Sequence, residues 1–295
     1  MTGDVAKESG ASADVRVFNT VADLRECVAK WRANGLTVAV VPTMGFLHRA
    51  HLTMVEAARA RCDRVIVTIF VNPKQFGENE DFDSYPRDLD GDLAKLRDVA
   101  ADVAFVPKPS EIYPPGFSTS VAVAGLTDGL CGASRPGHFD GVSTVVTKLL
   151  LQCLADDAMF GEKDYQQLLV VRRMVRDLNI PVHICPVPTV RESDGLAISS
   201  RNVKLTAEQR AVAPALYREL RTAAAHIAGG VPVADVAAAG LDALTQAGFD
   251  TVDYFEARDA ETLAPLGADG REGRIFGAAY LGEVRLIDNV VIGEE

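Results

Sequence analysis

A chain of 295 residues with 48% hydrophobic and 24% charged residues has the composition of ordinary globular domains, and can bury a large core without disulfides or structural metals. That excludes collagen-like, low-complexity and disordered scaffolds. The 41 acidic and 30 basic residues give a formal charge of −11, with no Lys/Arg run to supply the basic stripe a nucleic-acid partner needs. A small anionic ligand stays compatible with that charge, because a few local cations can dominate inside a cleft.

The five cysteines (Cys27, Cys62, Cys131, Cys153, Cys185) are odd in number and lack CxxC spacing, as in a reducing compartment. Segment 1–14 has no apolar core of a secretory signal, and no apolar stretch approaches the roughly 18 residues of a membrane span. A cytoplasmic protein without membrane or nucleic-acid partners is expected.

In chain order, 1–15 reads as a loose tail. The β-branched run 37–41, ended by Pro42, predicts a buried parallel strand, and 50–61 a helix. A second strand is predicted at 65–71, a helix with Pro near its first turn at 86–100, and a third strand at 103–106. The Gly/Pro-rich segment 107–137 predicts a long surface excursion of the kind that often serves as a lid, and Cys131 falls within it. Helix 141–154, strand 158–160, helix 165–178 and strand 182–187 follow, the last containing Pro186. This alternation predicts a doubly wound parallel sheet.

Beyond about residue 190 the texture changes. Thr206-Ala-Glu-Gln209 is a capping box opening a long Ala-rich helix, and a second helix is expected at 234–247. Short strands at 252–257, 274–279 and 284–290 complete a smaller α+β unit. The expected division is 1–189 for the doubly wound domain and 190–295 for the smaller C-terminal domain.

Four segments at strand ends carry chemistry. Thr43-Met-Gly-Phe-Leu-His-Arg-Ala-His51 joins the first strand to a helix, where open α/β sheets bind ligands and where helix N–H groups suit phosphate. His48 and His51 are one helical turn apart. A phosphate site is favoured there over a plain turn with surface histidines or a zinc pair, which needs a third ligand. Gly161-Glu-Lys-Asp-Tyr-Gln-Gln167 offers Lys163 to a phosphate and Asp164 to a ribose or a metal-bound water, although Glu162 and Asp164 equally suit a solvated helix start. Ile198-Ser-Ser-Arg-Asn202 could close over a triphosphate through Arg201. Phe70-Val-Asn-Pro-Lys-Gln-Phe76 puts Asn72 and Gln75 at the same sheet edge.

These segments, with Arg135-Pro-Gly-His-Phe-Asp-Gly-Val142 and Asp194-Gly-Leu-Ala-Ile-Ser199, resemble the pantothenate synthetase (pantoate–β-alanine ligase) family over about 16–291. That family belongs to a nucleotidyltransferase superfamily shared with class I aminoacyl-tRNA synthetases. The resemblance implies a Rossmann-like domain, a smaller C-terminal lid domain and a homodimer. It also implies ATP-dependent condensation of (R)-pantoate with β-alanine through pantoyl adenylate, releasing AMP and pyrophosphate. It places ATP on Met44, Gly45, Phe46, Leu47, His48, Arg49, Ala50 and His51, on Gly161, Glu162, Lys163 and Asp164, and on Val190, Ile198, Ser199, Ser200 and Arg201. His51, His48, Lys163 and Arg201 would be catalytic, with His51 the presumed proton donor. Gln75 and Gln167 would hold pantoate, Gln75 also facing β-alanine. Mg²⁺ would ride on the phosphates, with no dedicated protein cage of metal ligands.

This chain reads His48-Arg-Ala-His51 where the family usually has His-acidic-Gly-His, and Phe46 where a smaller or polar residue is commoner. Ala50 sets a methyl where adenine approaches backbone, and Arg49 reverses a charge. A sister ligase for another acid or amine, and a silent nucleotide-binding protein, are the competing readings.

Overall fold

The computed structural model of the protein describes residues 14–77, 80–267 and 272–293. Six parallel strands form the first sheet: β1 (Arg16–Phe18), β2 (Val38–Thr43), β3 (Arg64–Ile69), β4 (Val103–Phe105), β5 (Asp157–Gly161) and β6 (His183–Val187), in the order β1-β4-β3-β2-β5-β6. The chain winds outward one way through β2, β3 and β4, then crosses to β5 and β6. β2 and β5 are therefore neighbours at the reversal point, with Ala39 opposite Asp157 and Val40 opposite Ala158. A crevice opens beyond the carboxyl ends of strands at such a point.

The period-2 alternation of the strands builds two cores. Val38, Val40 and Ile66 face one side, where they meet α1 (Val21–Ala33), α6 (His138–Cys153) and α7 (Tyr165–Asp177) through Leu24, Val28, Leu149 and Leu168. Ala39, Val41, Val65 and Val67 face the other, against Val55 and Ala58 of α2 (Arg49–Arg61) and Leu96 of α3 (Leu89–Asp98). Both faces are covered, which is why these strands read as unbroken apolar runs. Pro186 is accommodated because β6 is an edge strand.

Several expected boundaries shift. The helix expected from residue 86 begins at Leu89, where the Asp88 carboxylate accepts from Gly91 N at 3.0 Å. The expected surface excursion 107–137 contains α4 (Pro109–Ile112) and α5 (Cys131–Ser134), and buries Ile112, Leu126, Leu130 and Cys131. Gln166 secures it by donating to Leu126 O and Gly129 O and accepting from Cys131 N. Helix α6 starts three residues before the expected position 141. The pair β1–α1 is an addition to the expected elements, although α1 carries a Thr20 N-cap and buries Leu24, Cys27, Val28 and Trp31 at helical spacing. The expected tail lies outside the described residues as far as residue 13.

The C-terminal domain consists of α8 (Ala207–Val212), α9 (Ala215–Ala228), α10 (Val233–Ala247) and an antiparallel sheet of β7 (Thr251–Asp259), β8 (Gly273–Leu281) and β9 (Val284–Val291). The capping box forms at Thr206 and Gln209, but it opens a short helix, because Pro214 separates α8 from α9. One sheet face packs Phe255, Ile275 and Ala279 against α9 and α10. The other inserts Tyr254, Phe276 and Ala278 into the core of the first domain.

Candidate active site

The loop after β2 is held in an unusual shape. Gly45 has φ +82° and a side chain there would meet Ile69 Cγ2 at 2.9 Å, so both backbone and space demand glycine. Phe46 also adopts positive φ, +51°. Asp92 of α3, 1% exposed, fixes this path by accepting from Phe46 N at 2.8 Å and Leu47 N at 2.6 Å. Burial pushes the Asp92 carboxyl up, against those two backbone donors.

The loop delivers His48 as the N-cap of α2, with His51 in its first turn. Their rings stack at 4.0 Å, and His48 N donates to His51 Nδ1 at 3.4 Å, so a neutral His51 carries its proton on Nε2. Burial, with positive Lys163 nearby, lowers His48 to about 4. Burial and His48 lower His51 as well. Both imidazoles are neutral at pH 7 and can donate or accept single protons. His48 Nδ1 is buried with no hydrogen-bond partner among the described residues.

The second wall is the turn after β3. Asn72, 1% exposed, accepts from Tyr113 OH at 2.8 Å and donates to Gly141 O at 3.1 Å. The backbone of α6 sits directly on this turn, since a Cβ on Gly141 would lie 2.1 Å from Lys74 O. His138 Nδ1 lies 2.8 Å from Gln75 O and must donate there, which leaves Nε2 to accept from Arg135 at 3.1 Å. Burial, with Arg135 adding to it, lowers His138 to about 4. Arg135 also grips Glu80 through two donors at 2.7 and 2.5 Å.

The third wall is the turn after β5, where Lys163 lies 3.7 Å from Asp164. The fourth is the segment after β6. Ser200 Oγ donates to Phe46 O at 3.3 Å, tying that segment to the histidine loop. Arg201 donates to Asp81 at 3.1 and 2.8 Å, and Lys204 joins them at 2.9 Å. Burial works to raise the Asp81 carboxyl, but the two cations overcome it and hold it at about 2.

These walls enclose a cavity of about 230 Å³ at the β2/β5 reversal point. Met44, His48, Ala50, His51, Gln75, Gly161, Lys163, Asp164, Gln167, Val190, Ile198, Ser199, Ser200 and Arg201 all line it. Gly45, Phe46, Leu47, Arg49 and Glu162 do not. Leu47 is in the core, Arg49 points to solvent, and Glu162 lies 3.8 Å from Arg274. A second cavity of about 500 Å³ adjoins it towards the C-terminal domain, sharing Arg135, Lys163, Asp164, Ser199 and Arg201. The sequence reading assigned no task to Tyr85, Arg135 or His138, which also line the first cavity. Arg135 and His138 stand in a motif quoted above, whereas Tyr85 and Asp92 give no signal because their partners are distant in sequence.

A parallel sheet with histidines, a lysine and an arginine gathered at its reversal point defines a nucleotide-binding α/β enzyme. The profile of the Pantoate-beta-alanine ligase family matches residues 16–291. The chain is 55% identical to the pantothenate synthetase of Chelativorans sp. (strain BNC1) over 280 residues, 95% of this chain and 99% of that one. It is 54% identical to that of Paramagnetospirillum magneticum over 279 residues, 95% and 98% of the two chains. The crystal structure of pantothenate synthetase from Thermus thermophilus superposes with a TM-score of 0.86 at 47% identity, covering 94% of this chain and 99% of that one. Pantoate-beta-alanine ligase from Francisella tularensis, complexed with beta-gamma ATP and beta-alanine, gives 0.81 at 32% identity, covering 95% and 99%. The chain belongs to the pantoate–β-alanine ligase family and is an enzyme.

Proposed function

We propose that this enzyme joins (R)-pantoate to β-alanine at the expense of ATP, through pantoyl adenylate. The observation that carries this reading is the convergence of the histidine pair, Lys163, Arg201 and both glutamines on one cavity. The family membership and the ATP- and β-alanine-bound relative support it.

In the first step a pantoate carboxylate oxygen attacks the α-phosphorus, and the bond to the β-phosphate oxygen breaks to release pyrophosphate. Two anions have to meet in line, so positioning and charge neutralisation dominate catalysis. Lys163 supplies a cation, while neutral His51 and His48 offer N–H donors to phosphate oxygens. The unpartnered His48 Nδ1 suits such a ligand. Arg201 would share or exchange Asp81 for phosphate. Gln75 and Gln167 offer amides to the pantoate hydroxyls and carboxylate. In the second step the free amine of β-alanine attacks the acyl carbon, AMP leaves, and the amine gives up a proton.

Mg²⁺ would accompany the triphosphate. Phosphate oxygens and water would be its main ligands, and Asp164, 3.7 Å from Lys163, is a carboxylate that could hold one of those waters. The division at 189/190, with residues 190–295 as a lid, belongs to the same proposal, as do homodimerisation and a cytoplasmic location. Among the described residues no helix is long and apolar enough to cross a membrane.

Replacing His51 or Lys163 by Ala is expected to slow adenylate formation by about 10²–10³-fold, as loss of a transition-state donor does. Gln75→Ala is expected to raise KM for pantoate more than KM for ATP. Unchanged adenylation in both alanine variants, or the reverse KM pattern, would contradict the assignments.

A further inference from the structure

We infer that Asp288 and Asn289, adjacent residues of β9 in the C-terminal domain, act together as a positioning device for the two loops that hold the nucleotide phosphates. Both are buried, at 4% and 3% exposure, in a strand that otherwise buries Val284 and Leu286 and half-buries Val290. Adjacent strand residues point to opposite faces, so the pair can reach two different segments.

Asp288 takes Arg191 through two bonds, from Nη1 at 2.5 Å and Nη2 at 2.9 Å. Arg191 in turn donates to Gly195 O at 3.1 Å, stacks 3.7 Å over Tyr217, and pairs its backbone with Ala197. It is the root of the turn that leads directly into Ser199, Ser200 and Arg201. Asn289 uses both hydrogens of its amide on the other loop, donating to Glu162 O and Lys163 O at 3.0 Å each. Its Oδ1 accepts from Arg274, and its backbone N–H donates to Asp288 Oδ1 at 2.8 Å.

The polar chain Arg191–Asp288–Asn289 thus fixes the backbone of Lys163 and the base of the Arg201 segment relative to each other. These loops leave different strands, β5 and β6, and their cations have to converge on one triphosphate. Neither residue lines the 230 Å³ cavity; Asp288 borders the adjoining 500 Å³ cavity, while Asn289 meets the phosphate loop through the carbonyls of Glu162 and Lys163. The inference rests on the proposed phosphate role of Lys163.

The test is a double-mutant cycle on the full-length enzyme, read as the single-turnover rate of adenylate formation with ATP and pantoate. Asn289→Asp keeps the shape and the Arg274 partner but turns lone pairs towards the two carbonyls. Asn289→Ala removes the amide. Either is expected to slow adenylation by about 10–100-fold through misplacement of Lys163, with KM for pantoate unchanged within about 2-fold. In a Lys163→Ala background the same substitution should cost less than about 3-fold, because the group it positions is gone. If Asn289→Ala does not fold, Asn289→Asp carries the cycle. Equal losses in both backgrounds would mean a general structural role and overturn the inference, as would full activity of the Asn289 variants. Should Lys163→Ala itself leave the rate intact, the phosphate reading falls and this inference with it. A loss in Lys163→Ala with silent Asn289 variants overturns the inference alone.

Discussion

Arg49 and Ala50, the two departures in the histidine loop, meet different surroundings. The Arg49 side chain is exposed and lies outside the cavity lining, so its charge is screened by water. Ala50 lines the cavity with His51, Met54 and Gly161, and under the proposed nucleotide placement its methyl would stand against the base. Ala50→Gly is therefore expected to lower KM for ATP by about 2-fold or more, while Arg49→Glu changes it by less than about 2-fold. Steady-state kinetics with ATP varied checks both, and an unchanged KM in Ala50→Gly would remove crowding as a cost. Phe46, the third departure, keeps its backbone in place despite positive φ because Asp92 takes its N–H.

At the level of elements, the parallel strands were legible because burial on both faces leaves continuous β-branched runs. The motifs lay at the ends of those strands, so most of the cavity lining was legible too. What sequence could not give were partners brought together by the sheet order. Asp92 lies 45 and 46 positions from the two N–H groups it accepts, and Asp81 lies 120 from Arg201. Asp288 and Asn289 read as ordinary polar residues in a strand until β9 is laid against the loops after β5 and β6. Segment 107–137 misled because Gly and Pro mark turns without revealing that Leu126 and Leu130 between them are buried. Helix α1, by contrast, carries both a cap and a periodic apolar face, and is readable from sequence alone.

At the scale of the molecule, buried ionisable groups shape the response to acid. His48 and His138 stay neutral in the fold with values near 4, whereas in the unfolded chain they take up protons near 6.5. Between those values the unfolded state binds more protons, so stability falls as pH drops from about 6.5 to about 4. Asp81 acts lower down: its pairing stabilises the fold above about 4 and is lost towards about 2. His138 faces Arg135, Glu80, Asp164 and the Gln75 carbonyl, so its protonation would place a second cation against Arg135. The thermal midpoint is expected to fall by about 3 °C or more between pH 6.5 and 4.5, and by less in His138→Asn. Parallel curves for the two proteins would contradict this account of His138.

The central claim is that the cavity at the β2/β5 reversal point activates an acid by adenylation, and pyrophosphate–ATP isotope exchange without β-alanine tests it most directly. The account predicts label entering ATP only when pantoate is present, with exchange lost in Lys163→Ala. A folded protein that binds ATP yet shows no pantoate-dependent exchange would contradict it.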